Sequence, residues 1–144
     1  MSNATASVDQ LNVVVEDMDA DVAFYRALGC RVEESGGEWD AHHRRVSAGE
    51  GIDFDLDSLS FARTWDHGWR GGAGMVVTFR TEDRDAVDRL YERLTGEGHE
   101  GEQPPYDAFW GVRFAIVRDP AGNSVGIMSP VDPDRRSPPT LPDG

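Results

Sequence analysis

The side chains from which this chain could build a reactive centre are few, and their spacing is restrictive. His42 and His43 are adjacent, and neighbours on a strand point to opposite faces, so the pair cannot chelate one ion together. His67 falls in a connector and His99 near a turn. The single cysteine, Cys30, excludes an intramolecular disulfide or a multi-cysteine metal site, and its place after Gly29 reads as a small buried hydrophobe. All 14 basic residues are arginine, which removes Schiff-base chemistry and a phosphate-cradling P-loop lysine. There is no Gly-x-Ser-x-Gly elbow and no dinucleotide fingerprint. These patterns assign no catalytic residue.

The elements that must position any site are written twice. Glu16-Asp17-Met18-Asp19-Ala20 returns 66 residues later as Glu82-Asp83-Arg84-Asp85-Ala86, and Tyr25 and Leu28 return as Tyr91 and Leu94. Apolar character repeats at the same offset, Leu11 with Val77, Val13 with Phe79 and Phe24 with Leu90, so a whole strand, turn and helix is duplicated. In the first half, Val8 to Val15 reads as a strand. A helix capped by Asp17 or Asp19 then ends at Gly29. Strands follow at 30–34, 39–47 and 51–56. In the second half, a strand at 75–79 precedes a helix capped by Asp83, with Ala86, Val87, Leu90, Tyr91 and Leu94 on one stripe. A short piece at 99–102, a break at Pro104-Pro105, and strands at 110–117 and 123–128 complete the unit, the last two joined by Asp119-Pro120-Ala121-Gly122. The expected fold class is α+β, two βαβββ repeats. The modules span 8–57 and 74–130, with an aromatic connector at 58–73. Residues 1–7 read as a frayed start or tag remnant, and the Pro-rich tail 131–144 as a segment able to pack little.

With 144 residues the halves must share a core to be stable. A net charge of −13 repels phosphate backbones and anionic lipid, so nucleic acid and membrane are not expected partners. No apolar run approaches a membrane span and no signal-peptide core is present, which points to the cytoplasm.

The Phe24-Tyr25-Arg26-Ala27-Leu28-Gly29 helix end and the Asp119-Pro120-Ala121-Gly122-Asn123 turn, inside a duplicated βαβββ frame, resemble the vicinal oxygen chelate superfamily over about residues 8 to 130. That superfamily includes glyoxalase I, extradiol dioxygenases, fosfomycin-modifying enzymes and bleomycin-resistance proteins. The resemblance implies two curved sheets facing each other around a central cleft, and often a homodimer. It also implies four metal-ligand positions, which fall here on Gln10, Asp55, Val76 and Gly126. Valine and glycine offer no side-chain donor, and a hard divalent ion needs several. No metal and no cofactor are therefore expected.

What the chain has in place of ligands is aromatic surface. Trp39, Trp65, Trp69 and Trp110, with Phe54, Phe61 and Phe109, lie off the helical stripes. In a cleft of that superfamily they would form stacking walls for a planar guest, each ring pair adding roughly 0.5–1.5 kcal/mol. His42 or Asp55 would supply an orienting polar contact. Burying about 500 Å² of apolar surface yields roughly 12 kcal/mol, association costs about 4 kcal/mol or more, and micromolar affinity needs about 8 kcal/mol. A polycyclic ligand meets that sum and a single ring does not. The expected function is non-catalytic sequestration of a planar or polycyclic aromatic natural product, as in antibiotic self-resistance. The alternative is a metal-dependent or metal-free lyase, isomerase or dioxygenase of the same superfamily.

Overall fold

The computed structural model describes residues 6–47 and 49–142, so the N-terminal expectation lies outside it except for Ala6 and Ser7, which open the first strand. In chain order the elements are β1 (Ala6–Val15), α1 (Met18–Ala27), β2 (Arg31–Val32), β3 (His43–Ser47), β4 (Phe54–Ser58), α2 (Leu59–Trp65), β5 (Gly74–Thr81), α3 (Arg84–Gly96), β6 (Gly101–Asp107), β7 (Arg113–Arg118) and β8 (Ser124–Met128). They form one curved eight-stranded sheet in the order β2-β3-β4-β1-β5-β8-β7-β6.

The duplication is visible in that order. The first strands of the two halves, β1 and β5, pair antiparallel at the centre, Leu11 opposite Val77. Each then pairs parallel with the last strand of its own half, β1 with β4 and β5 with β8. Parallel partners need a crossover between them, and α1 and α3 begin those crossovers. Both helices start as their sequences dictate: the Asp17 carboxylate accepts from Ala20 N at 3.0 Å and that of Asp83 from Ala86 N at 2.8 Å. Under α1 lie Val15, Val46 and Leu56, and under α3 lie Ala115, Val117 and Ile127. Alternate strand residues, among them Val14, Val76, Phe114, Ile116 and Met128, build a third cluster with Phe61, Ala62 and Trp65 of α2 on the opposite face. One face of the sheet is thus covered by the two repeated helices, and α2 fills part of the other.

Several boundaries differ from expectation. Trp39 sits in a 3-10 turn, Glu38–Ala41, rather than on a strand. The Asp40 carboxylate accepts from Ser35 N, Ser35 Oγ and Gly36 N at 2.7–3.0 Å, which ties this turn and holds the carboxyl down at about 2. Strand β4 runs two residues later than the Ile52/Phe54/Leu56 alternation suggests, because Ile52 is exposed and Asp57 is inside the sheet. Pro104 and Pro105 lie within β6 rather than breaking it. As an edge strand with register shifts, β6 tolerates missing donors.

Strand β7 begins at Arg113 rather than Trp110 because the chain turns at Gly111 (φ +95°) to meet the tail. Asp132 N donates to Gly111 O at 2.9 Å and Ser137 N to Phe109 O at 2.9 Å. The tail so fixed covers the 109–111 turn. Any Cβ at Gly111 would come within 2.5 Å of Asp132 O. The far end of the connector is also pinned. Asp66 and Glu102 are buried together. Asp66 Oδ1 accepts from Gly68 N at 2.9 Å, and Glu102 accepts from Ser124 Oγ at 2.9 Å and pairs with Arg118 at 2.5 Å.

Candidate ligand cavity

The face that α2 partly fills leaves a cavity of about 280 Å³. Its floor is polar because β1, β3 and β4 each turn alternate side chains toward it. From β1 come Gln10 and Asn12, from β4 Asp55 and Asp57, and from β3 His43. They form a chain of hydrogen bonds that converges on Asp57. Gln10 Nε2 donates to Asn12 Oδ1 at 2.8 Å, and Asn12 Nδ2 donates to Asp57 Oδ2 at 2.7 Å. His43 Nδ1 lies 2.6 Å from Asp57 Oδ1. Asp55 Oδ1 is engaged separately, accepting from Arg45 Nη1 at 2.9 Å.

Electrostatics couples His43 to Asp57. Asp57 is fully buried, and burial pushes its carboxyl up against the opposing pull of His43 and Asn12. Burial works against the charged imidazole, but the hydrogen bond and charge of Asp57, helped by Asp55, prevail and raise the His43 pKa. The two groups hold a proton between them more firmly than either would in water.

Above the floor, aromatic rings follow one another in contact. Trp39 stacks on His43 with centroids 5.5 Å apart and planes at 29°, and it meets Phe61 edge-on at 4.8 Å. Phe109 packs on Trp110 at 5.1 Å, and Trp110 on Phe114 at 5.4 Å. Trp65 closes the band against Phe114 at 6.2 Å. The buried Nε1 of Trp110 has no hydrogen-bond partner among the described residues, so it lacks an acceptor that a buried donor ordinarily finds.

Six of the nine residues expected at the site, Trp39, Trp65, Trp110, Phe61, Phe109 and Asp55, line this cavity together. Three do not. Trp69 props the connector, its Nε1 donating to Gly72 O at 3.0 Å and its ring lying against Trp65. Phe54 points to the α1 face and packs on Tyr25, since it alternates with Asp55 along β4. His42 ends the 3-10 turn and meets Ser58 Oγ at 3.0 Å, leaving the cavity to its neighbour. Sequence reasoning missed Asn12, Asp57 and Phe114, and it placed the polar contact on His42 where the cavity has His43. The opposite facing of adjacent histidines already required that only one enter a site on this face, and the late start of β4 concealed Asp57.

The four metal positions of the superfamily do not fit a divalent ion here. Gln10 and Asp55 line the cavity, but both are engaged, with Asn12 and Arg45. Val76 is fully buried among apolar side chains. A Cβ at Gly126 would lie 2.4 Å from Thr78 Oγ1 and 3.1 Å from the Phe114 ring. Among the described residues no group of three or more His, Cys, Asp or Glu could hold a metal. Gly126→Ala is therefore expected to destabilise the protein by about 1–3 kcal/mol through overpacking. A urea midpoint unchanged from the parent would contradict that packing.

Two βαβββ halves joined edge to edge, with one face shaped into a cleft, define a paired-module α+β fold. The chain belongs to the Glyoxalase/Bleomycin resistance protein/Dioxygenase superfamily, whose family model matches residues 7–127. No curated protein matches the sequence. Among solved structures, the chain is similar to an NAD-dependent benzaldehyde dehydrogenase from Legionella pneumophila (18% identity, 83% of this chain and 97% of that one, TM-score 0.59). It is also similar to a methylmalonyl-CoA epimerase from Mycobacterium tuberculosis (18%, 92% and 93%, 0.57). A third is an Mn(II)-bound glyoxalase from Novosphingobium aromaticivorans (20%, 90% and 40%, 0.58). At such identities the likeness carries the fold alone. No described helix is long and apolar enough to cross a membrane.

Proposed function

We propose that this protein is a binding protein that holds a planar aromatic small molecule in the cavity, without converting it, in the manner of a cytoplasmic drug-sequestering homodimer. The observation that carries the reading is the aromatic band from Trp39 through Phe61, Phe109 and Trp110 to Phe114, set over a floor whose polar groups are bonded to one another. Pockets that bury small ligands are mostly apolar with a few fixed polar groups, and this one follows that pattern. Its volume of about 280 Å³ lies just below the usual range of about 300–1,000 Å³, which favours a compact fused-ring guest over a large natural product.

The His43–Asp57 pair supports a second reading, a metal-free enzyme in which the imidazole moves a proton. The two readings part on what becomes of the ligand. Titration of tryptophan fluorescence with fused-ring aromatics, followed by mass analysis of recovered ligand, is expected to show quenching with the ligand unchanged. Trp110→Ala is expected to weaken binding at least about tenfold, through lost stacking and area. Trp65 is a poorer probe because only 5% of it is exposed, and its truncation should cost about 3–5 kcal/mol of stability. Equal affinity in Trp110→Ala, or no quenching by any ligand, would remove the cavity as the site, and an altered ligand would favour the enzyme.

A further inference from the structure

We infer that the cavity selects an aromatic ligand bearing an ionisable hydroxyl, a phenol or fused-ring naphthol, which gives its proton to His43 Nε2 and is held as the phenolate. This rests on the binding reading above and specifies its ligand class.

The hydrogen-bond geometry at His43 suits such a group. With Asp57 ionised the carboxylate only accepts, and the 2.6 Å contact with Asp57 Oδ1 then takes its hydrogen from His43 Nδ1. The other oxygen of Asp57 is taken by Asn12, and Asn12 in turn by Gln10, so the carboxylate cannot swing to another partner. Nε2 of the neutral imidazole is then a lone-pair acceptor with no partner among the described residues, on a side chain that lines the cavity. Asn12 and Asp57 act as positioning residues, and His43 is the group that meets the ligand.

The charges around His43 decide which donor suits it. Asp57 and Asp55 face it from β4, and Arg45 opposes them from β3. On its outer side Glu33, Glu34, Asp40, Arg44 and Arg45 line a shallow groove. A carboxylate ligand would arrive already charged into this acidic setting and into a chain of net charge −13. A phenol arrives neutral. On binding, its O–H bond breaks, the electron pair stays on oxygen, and an N–H bond forms at Nε2. The imidazolium then lies between two anions, Asp57 and the phenolate, and both contacts become charge-assisted.

The test uses 2-naphthol, whose absorption reports its ionisation and whose hydroxyl stays neutral in water at pH about 8, above the ordinary histidine range, and its methyl ether, which has the same rings and no proton to give. At a pH below the ionisation of the free naphthol, the bound naphthol is expected to show the phenolate spectrum and to bind at least about tenfold more tightly than the ether, the scale of one charge-assisted hydrogen bond. His43→Gln should level the two affinities and return a neutral bound spectrum. Asp57→Asn should do so in part, because the ring keeps its site but loses its charged partner. A bound naphthol that stays neutral, an ether bound equally well, or a His43→Gln variant that keeps both signatures overturns the inference and leaves the binding reading intact. If neither compound binds, the inference and that reading fall together.

Discussion

Replacing Asp57 with alanine is expected to lower stability by about 3 kcal/mol, a larger loss than replacing any other residue of the cavity floor. Asp57 is fully buried and serves two strands besides its own: Asn12 on β1 donates to one oxygen, and His43 on β3 contacts the other. Removing one partner of a buried pair leaves the rest desolvated and unmatched, which typically costs about 3–5 kcal/mol. His43 retains some access to water, and this places the value at the low end. Asp57→Asn should cost less, since an amide keeps the volume and can still accept one of the two bonds. Urea unfolding of both variants near neutral pH measures this, and a loss in Asp57→Ala below about 1 kcal/mol would show that the network does not join β1, β3 and β4.

That network explains where sequence reading succeeded and where it stopped. The 66-residue repeat, the caps Asp17 and Asp83 and the α3 stripe are local signals, and each corresponds to an element with the expected cap bond or buried face. Helix α2 was harder to see. Its cap, Ser58, accepts from Phe61 N at 3.1 Å, but seven residues carry too short a period to be recognised, and the sequence showed only an aromatic connector. The floor was hidden for a different reason. Asp55 and Asp57 look like the polar face of an alternating strand, which ordinarily faces water. Here both faces of β4 are covered, one by α1 and the other by the cavity wall, so the inward polar face became the site. The absence of donors at positions 76 and 126 needed no structure to be read. The clash that a side chain at 126 would cause with Thr78 and Phe114 did.

Stability is also expected to rise as the pH is lowered from about 8 toward about 5, by up to about 1.4 kcal/mol per unit for each proton retained. The main source is Asp66, which burial and the neighbouring Glu102 push up to about 8 from an ordinary 3.8. Between those values the folded chain holds a proton that the unfolded chain has released, so folding is favoured by acid across that window and indifferent to pH above it. One arginine, Arg118, faces the two carboxyl groups, and it can balance only one negative charge. His43 and Asp57 are raised too and add to the same trend. Asp40, Asp107 and Asp119 are lowered, and their contribution is lost only in stronger acid, below their ordinary range. Asp66→Asn should reduce the slope, because the amide is neutral at every pH and its N–H can replace the shared proton toward Glu102. The variant would then be more stable than the parent at pH about 8 and nearly equal to it at pH about 5. Denaturant midpoints at several pH values decide the matter: a parent that gains stability with rising pH, or an Asp66→Asn slope as steep as the parent's, would mean that the shared proton lies elsewhere. Because Asp66 directly follows Trp65 of the cavity wall, and Tyr106 donates to Trp65 O at 3.1 Å, loss of this proton would strain the same segment that carries the aromatic band. Ligand affinity should accordingly weaken above pH about 8, the point at which Asp66 ionises.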